Sequence, residues 1–274
     1  MSGKVKGFGG RAKPISVEWV RYGSVDKPRR RLACFPFAGG GASVYRRWAD
    51  SLATDVELVS LQLPGRESRL LEPPLVDLKQ AANLAVEALS TLPELPTILF
   101  GHSMGALMAY EAACGCSTFA LLGLAVSGRN APHIKERVQR VSHMDDVAFV
   151  DYLGQIGGTP REVLEQPELM ALLTPMLRAD FGMVDDYLAQ ERLMALDCPV
   201  WAFYGTEDKA TPRPHMEAWQ SVARRDFELT ALPGGHFFIE PQRTAILQTL
   251  GILGNLGNLG NLGNLGNLES RPDA

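Results

Sequence analysis

Several things are scarce in this 274-residue sequence, and each scarcity removes a class of protein. There are four cysteines, Cys34, Cys114, Cys116 and Cys198, too few and too irregularly spaced for a disulfide framework or a zinc site. Cys114 and Cys116 are two apart in a helical stretch, where side chains diverge and cannot bridge. Reduced thiols in a cytoplasmic protein are the expectation. No apolar run approaches the roughly 20 residues that span a bilayer. The start is charged and glycine-rich, without the apolar stretch of a signal peptide. The net charge of −4 points to neither nucleic acid nor a membrane surface as partner. Histidine is sparse too, with five in the chain, so imidazole chemistry has few candidates.

The charge is unevenly spread. Residues 1–31 carry nine Lys or Arg against two Asp or Glu, about +7, which leaves about −11 for the rest. Residues 1–28 read as a basic, flexible N-terminal segment. At the other end Gly-Asn-Leu recurs five times over residues 254–268. A period of three fits neither helix nor strand, so residues 251–274 read as a flexible low-complexity tail.

Between these ends, short apolar runs alternate with helical patterns. Strands are expected at 32–35, 56–61, 97–100, 120–126, 200–204 and 227–232, with helices near 43–52 and 75–89. That alternation implies an α/β fold with a mostly parallel, doubly wound sheet, its core formed by residues 29–128 and 197–250. Residues 129–196 interrupt the rhythm and read as helices only. These are expected at 145–156, in a short stretch opened by Thr159-Pro160, and at 167–188 with Pro175 as a kink. A helical insertion on the ligand-binding edge of such a sheet suggests a lid.

Directly after the apolar run Pro96-Thr97-Ile98-Leu99-Phe100 comes Gly101-His102-Ser103-Met104-Gly105, followed by an alanine-rich helical stretch. This is the Gly-x-Ser-x-Gly pattern in its required strand–turn–helix context, where a serine is held in a strained turn at a helix N-terminus. The competing reading is a glycine-rich turn whose serine merely caps the helix. A nucleophilic serine needs a base, and the base needs an orienting carboxylate, in the chain order Ser, acid, His for this architecture. Of the five histidines only His236 follows a late strand, in Leu232-Pro233-Gly234-Gly235-His236. His102, His133, His143 and His215 read as structural or surface residues. The carboxylate falls in Gly205-Thr206-Glu207-Asp208, with Asp208 as the candidate and Glu207 as its rival. The oxyanion-hole donors expected are the backbone N–H of Met104 and, from the loop after the first sheet strand, that of Ala38. Together these features define an α/β-hydrolase fold with a Ser103-Asp208-His236 triad and a helical lid.

Several segments resemble the type II thioesterases, the editing enzymes of polyketide and nonribosomal peptide synthesis. They are Cys34-Phe35-Pro36-Phe37-Ala38-Gly39-Gly40, Gln62-Leu63-Pro64-Gly65-Arg66-Glu67, the Ser103 elbow, Leu177-Arg178-Ala179-Asp180-Phe181 and Gly234-Gly235-His236-Phe237-Phe238. The likeness runs from about Arg30 to Leu250. Phe37 stands where the family often has His or Tyr. The resemblance implies hydrolysis of acyl groups from the phosphopantetheine arm of acyl or peptidyl carrier proteins. It implies no resident metal or redox cofactor, since phosphopantetheine arrives on the carrier. The oligomeric state is left open, with a monomer favoured, and the composition read above gives no nucleic-acid or membrane partner. The alternatives are a small-molecule carboxylesterase or lipase of the same fold, or a non-catalytic small-molecule receptor.

Overall fold

The computed structural model describes residues 15–134, 140–187 and 193–254. Seven strands form one sheet: β1 (Glu18–Tyr22), β2 (Arg30–Phe35), β3 (Val56–Gln62), β4 (Thr97–His102), β5 (Leu121–Ser127), β6 (Val200–Gly205) and β7 (Phe227–Leu232). Their order is β1-β3-β2-β4-β5-β6-β7. β1 runs antiparallel to β3, and every other pairing is parallel. The central parallel strands β4, β5 and β6 are largely apolar on both faces because helices cover both. Along β2, Ala33 and Phe35 face one core with helices α1 (Leu78–Ser90) and α2 (Met104–Gly115). Leu32 and Cys34 face the other, with Tyr45 and Trp48 of the 3-10 helical run Ala42–Ser51.

The chain reverses its winding at β2. β3 lies on one side of it and β4 on the other, so a crevice opens outside the carboxyl ends of β2 and β4. The Ala38 loop leaves β2 and the Ser103 turn leaves β4, which places both on that crevice.

Residues 146–186 form the inserted helices α3 (Asp146–Ile156), α4 (Arg161–Leu164) and α5 (Pro167–Asp186). The Asp145 carboxylate caps α3 by accepting the Ala148 N–H, and Gly157 ends it at φ +77°. Phe149, Leu153, Met170, Met176 and Leu177 give the insertion an apolar cluster of its own. Pro175 lies inside α5, which ends at Asp186, so the expected last residue, Leu188, falls outside the described chain. Among the described residues two short α-helices follow the insertion, α6 (Arg213–Glu217) and α7 (Arg243–Thr249).

Both termini depart from the expected tails. Glu18–Tyr22 is a strand, held by its ladder to β3 and by Trp19, whose indole N–H donates to the Ala85 carbonyl at 2.9 Å. Three of the basic residues near the start are internally paired, Arg21 and Arg31 with Glu57 and Arg30 with Asp55. At the other end Leu253 bridges Leu52, and the Gly254 N–H donates to the Ser51 carbonyl. Residues 1–14 and 255–274, with the rest of the basic segment and nearly all of the repeat, lie outside the described residues. The helix expected from residue 75 starts at Leu78, because the Asp77 side chain accepts the Gln80 N–H and fixes the cap there. All four cysteines are unpaired. Among the described residues no helix is long and apolar enough to cross a membrane.

Candidate active site

β4 delivers the chain to Ser103 through a turn that only glycine permits on either side. A Cβ at Gly101 would lie 2.0 Å from the Gly105 carbonyl oxygen, and one at Gly105 would lie 2.1 Å from the Phe35 oxygen. Those close approaches seat the start of α2 against the end of β2. Ser103 itself takes φ +53° and ψ −117°, a conformation that L-residues avoid. Its N–H donates to the Ser127 carbonyl at 2.8 Å. The Ser103 hydroxyl makes no cap bond to α2, which removes the N-cap reading.

The hydroxyl faces His236 instead. Ser103 Oγ is 3.1 Å from His236 Nε2, and His236 Nδ1 is 2.7 Å from Asp208 Oδ2. Asp208 is buried and also accepts the Thr211 hydroxyl at 2.6 Å and the Ala210 N–H at 3.0 Å. Burial pushes the Asp208 pKa up. The hydrogen bond and charge of His236, with the Thr211 and Ala210 donors, outweigh burial and hold it below the usual carboxylate value. An ionised carboxylate only accepts, so Nδ1 carries the imidazole proton and Nε2 is left to accept from Ser103. Glu207 is exposed on the same loop, its backbone N–H on the Gly234 carbonyl, and its side chain has no part in this series.

The two expected oxyanion donors flank the crevice. Met104 is the first residue of α2, at the positive end of its dipole. Ala38 lies in the loop after β2, half-buried. In that loop the Gly40 N–H donates to the Phe37 carbonyl and the Gly39 N–H to Asp180, while among the described residues no protein acceptor takes the Ala38 N–H.

Aromatic rings line the approach. Phe237 stacks edge-on to Phe37 at 4.8 Å and to His236 at 5.1 Å. The turn between α3 and α4 rests on Phe237: a Cβ at Gly158 would lie 2.3 Å from its Cζ. His102, read from sequence as structural, is fully buried with Nδ1 3.0 Å from Ser127 Oγ. The histidine in this series is His236, and His133, His143 and His215 are not members of it. Thr211 escaped the sequence reading. Its signal is its place three residues after Asp208 and just before Pro212, where a polar side chain folds back on a turn.

A mostly parallel seven-stranded sheet carrying a strained serine elbow defines the α/β-hydrolase class. The profile of the thioesterase domain matches residues 30–252. The gramicidin S biosynthesis protein GrsT of Aneurinibacillus migulanus is 37% identical over 235 residues, which cover 84% of this chain and 91% of that protein. Thioesterase PikA5 of Streptomyces venezuelae is 35% identical over 240 residues, 84% of each chain. Among solved structures, the type II thioesterase BorB from the borrelidin biosynthetic cluster matches with a TM-score of 0.77 at 31% identity, over 87% of this chain and 98% of that one. The chain belongs to the thioesterase family, as a serine thioesterase of the type II kind.

Proposed function

We propose that this chain removes acyl groups from the phosphopantetheine arms of acyl and peptidyl carrier proteins in a polyketide or nonribosomal peptide pathway, clearing misprimed or stalled units. The observation that carries this reading is the hydrogen-bonded series Ser103, His236 and Asp208 on a strained elbow. It occurs in a chain whose relatives are named for gramicidin S and other such biosyntheses.

The chemistry runs in two steps. His236 Nε2 takes the Ser103 hydroxyl proton as Oγ attacks the thioester carbonyl. The Met104 and Ala38 N–H groups stabilise the resulting oxyanion. His236, now an imidazolium held by Asp208, gives its proton to the departing pantetheine thiol, and the acyl group is left as an ester on Ser103. Water then enters. His236 takes its proton, the hydroxide adds to the ester carbonyl, and the acid departs as the proton returns to Ser103. These groups all belong to the chain, and the reaction needs no resident cofactor. Helices α3, α4 and α5 act as a lid that shapes a narrow channel for the long pantetheine arm, meeting the site at Phe237.

Acylated carrier proteins, incubated with wild type and with Ser103→Ala and weighed intact by mass spectrometry, test the reading. Wild type returns the free holo-carrier and the variant leaves the acyl mass in place.

A further inference from the structure

Two segments that carry the family likeness, around Arg66 and around Asp180, have no role in the chemistry above, yet they meet at the oxyanion loop. Arg66 and Asp180 are 3% and 0% exposed and form a bidentate ion pair, Nη1 to Oδ2 at 2.6 Å and Nη2 to Oδ1 at 2.8 Å. The same Oδ2 accepts the Gly39 N–H at 2.8 Å, and the same Nη1 donates to the Gly40 carbonyl at 3.1 Å. One turn earlier on α5, Leu177 presses on the loop, its Cδ2 2.7 Å from where a Gly39 Cβ would stand. The neighbouring Glu67 side chain accepts the Ser43 N–H at 3.2 Å, just beyond the loop.

Peptide planarity turns these bonds into a constraint on Ala38. Each trans peptide points its C=O and N–H in opposite directions. The Phe37 carbonyl is held by the Gly40 N–H at 2.9 Å, so the Ala38 N–H in the same plane must point the other way. The next plane, Ala38 to Gly39, is fixed by Asp180 through the Gly39 N–H. The plane after Gly40 is fixed by Arg66 through its carbonyl. A buried ion pair is poor value as a source of stability, because desolvation opposes the Coulomb gain. Two of its bonds here, to the Gly39 N–H and the Gly40 carbonyl, have a more specific effect on backbone direction.

We propose that Arg66 and Asp180 are positioning residues for the oxyanion hole: they aim the Ala38 amide and tie its orientation to lid helix α5. This rests on the reading of Ala38 as an oxyanion donor. The pair acts through the backbone and does not touch substrate. A loop misaimed by a fraction of an ångström stabilises the tetrahedral state less while binding the ground state equally well.

The test compares wild type with Asp180→Asn and with the double variant Arg66→Met/Asp180→Leu, which replaces both charges by apolar side chains. Each is assayed for kcat and KM on an acyl-pantetheine thioester. Each is also titrated with an alkyl trifluoromethyl ketone, which forms an oxyanion on the serine, and with the matching methyl ketone, which does not. The expected result is a kcat about 10- to 100-fold lower with KM within about threefold. Affinity for the trifluoromethyl ketone should fall by the same factor, with the methyl ketone unaffected and cooperative unfolding retained. Wild-type kcat and ketone selectivity in a folded double variant would overturn the proposal. So would failure of both variants to fold, which would make the pair a structural brace. If wild type itself shows no preference for the trifluoromethyl ketone, the serine reading fails first, and that outcome is distinct from either.

Discussion

The ring of His102, fully buried, lies 5.1 Å from that of His236, tilted by 45°. Phe37, Phe237 and Phe238 surround the same ring. Burial first, and then the charge of His236, push the His102 pKa well below the ordinary imidazole value. One neutral imidazole therefore packs against the one that gains and loses a proton in the proposed reaction.

That packing has a signature in stability. His102 is neutral in the folded chain but protonates near pH 6.5 once unfolded. Below that pH the unfolded state binds the extra proton, so stability falls as pH falls through 6.5. The loss attributable to His102 between pH 7 and 5.5 is about 1 kcal/mol. Urea unfolding of wild type and His102→Gln at both pH values measures it, and the variant should lose less on acidification. Asp208 acts in a lower window. Its folded pKa is depressed, so its contribution is present above the ordinary carboxylate value and disappears only as pH falls through the folded one. The two effects separate on the pH axis.

Ser103 at φ +53° stores backbone strain that glycine would not feel. Ser103→Gly should therefore be more stable than Ser103→Ala by about 1 kcal/mol, even after the extra chain entropy of glycine. Thermal unfolding of the two inactive variants decides it. An equal or lower midpoint for the glycine variant would mean the turn is not strained.

Asp208 and Glu207 are adjacent but not equivalent. Asp208→Asn should lower kcat about 10³- to 10⁴-fold, because the amide can offer its N–H to Nδ1 and leave the wrong imidazole tautomer facing Ser103. Glu207→Gln, on an exposed side chain, should change kcat less than about twofold. Steady-state thioester hydrolysis by both variants checks the assignment, and a large loss in the glutamine variant would reverse it.

The proposed lid meets the site at Phe237, a contact that separates access from chemistry in the proposed reaction. Gly158 has φ +88°, and a Cβ there would lie 2.3 Å from the Phe237 ring. Gly158→Ala should move the turn between α3 and α4 off Phe237 and lower hydrolysis of acyl-carrier proteins about tenfold. A small activated ester, which does not need the channel, should be cleaved at close to the wild-type rate. Equal losses on both substrates would assign Phe237 to the catalytic geometry instead.

Much of this was legible in the residues. The elbow stood out because glycines, a serine and an alanine-rich helix follow an apolar strand, and packing demands each of those glycines. His236 and Asp208 were legible from their positions after late strands. Other features were hidden for physical reasons. β1 is five residues with charges at Glu18 and Arg21, an edge pattern that resembles loop until β3 supplies its partner. The start of α1 depended on Asp77 winning a cap over the apolar residue before it. Arg66 and Asp180 are 114 residues apart, and nothing local to either shows that they pair against the loop after β2.

The decisive measurement is intact-mass analysis of a panel of acylated carrier proteins treated with wild type and with Ser103→Ala. Wild type should return holo-carrier, and Ser103→Ala should be slower by about 10³-fold or more. Carriers left fully acylated by a wild type that still cleaves small esters, or deacylated equally by Ser103→Ala, would contradict the proposed function.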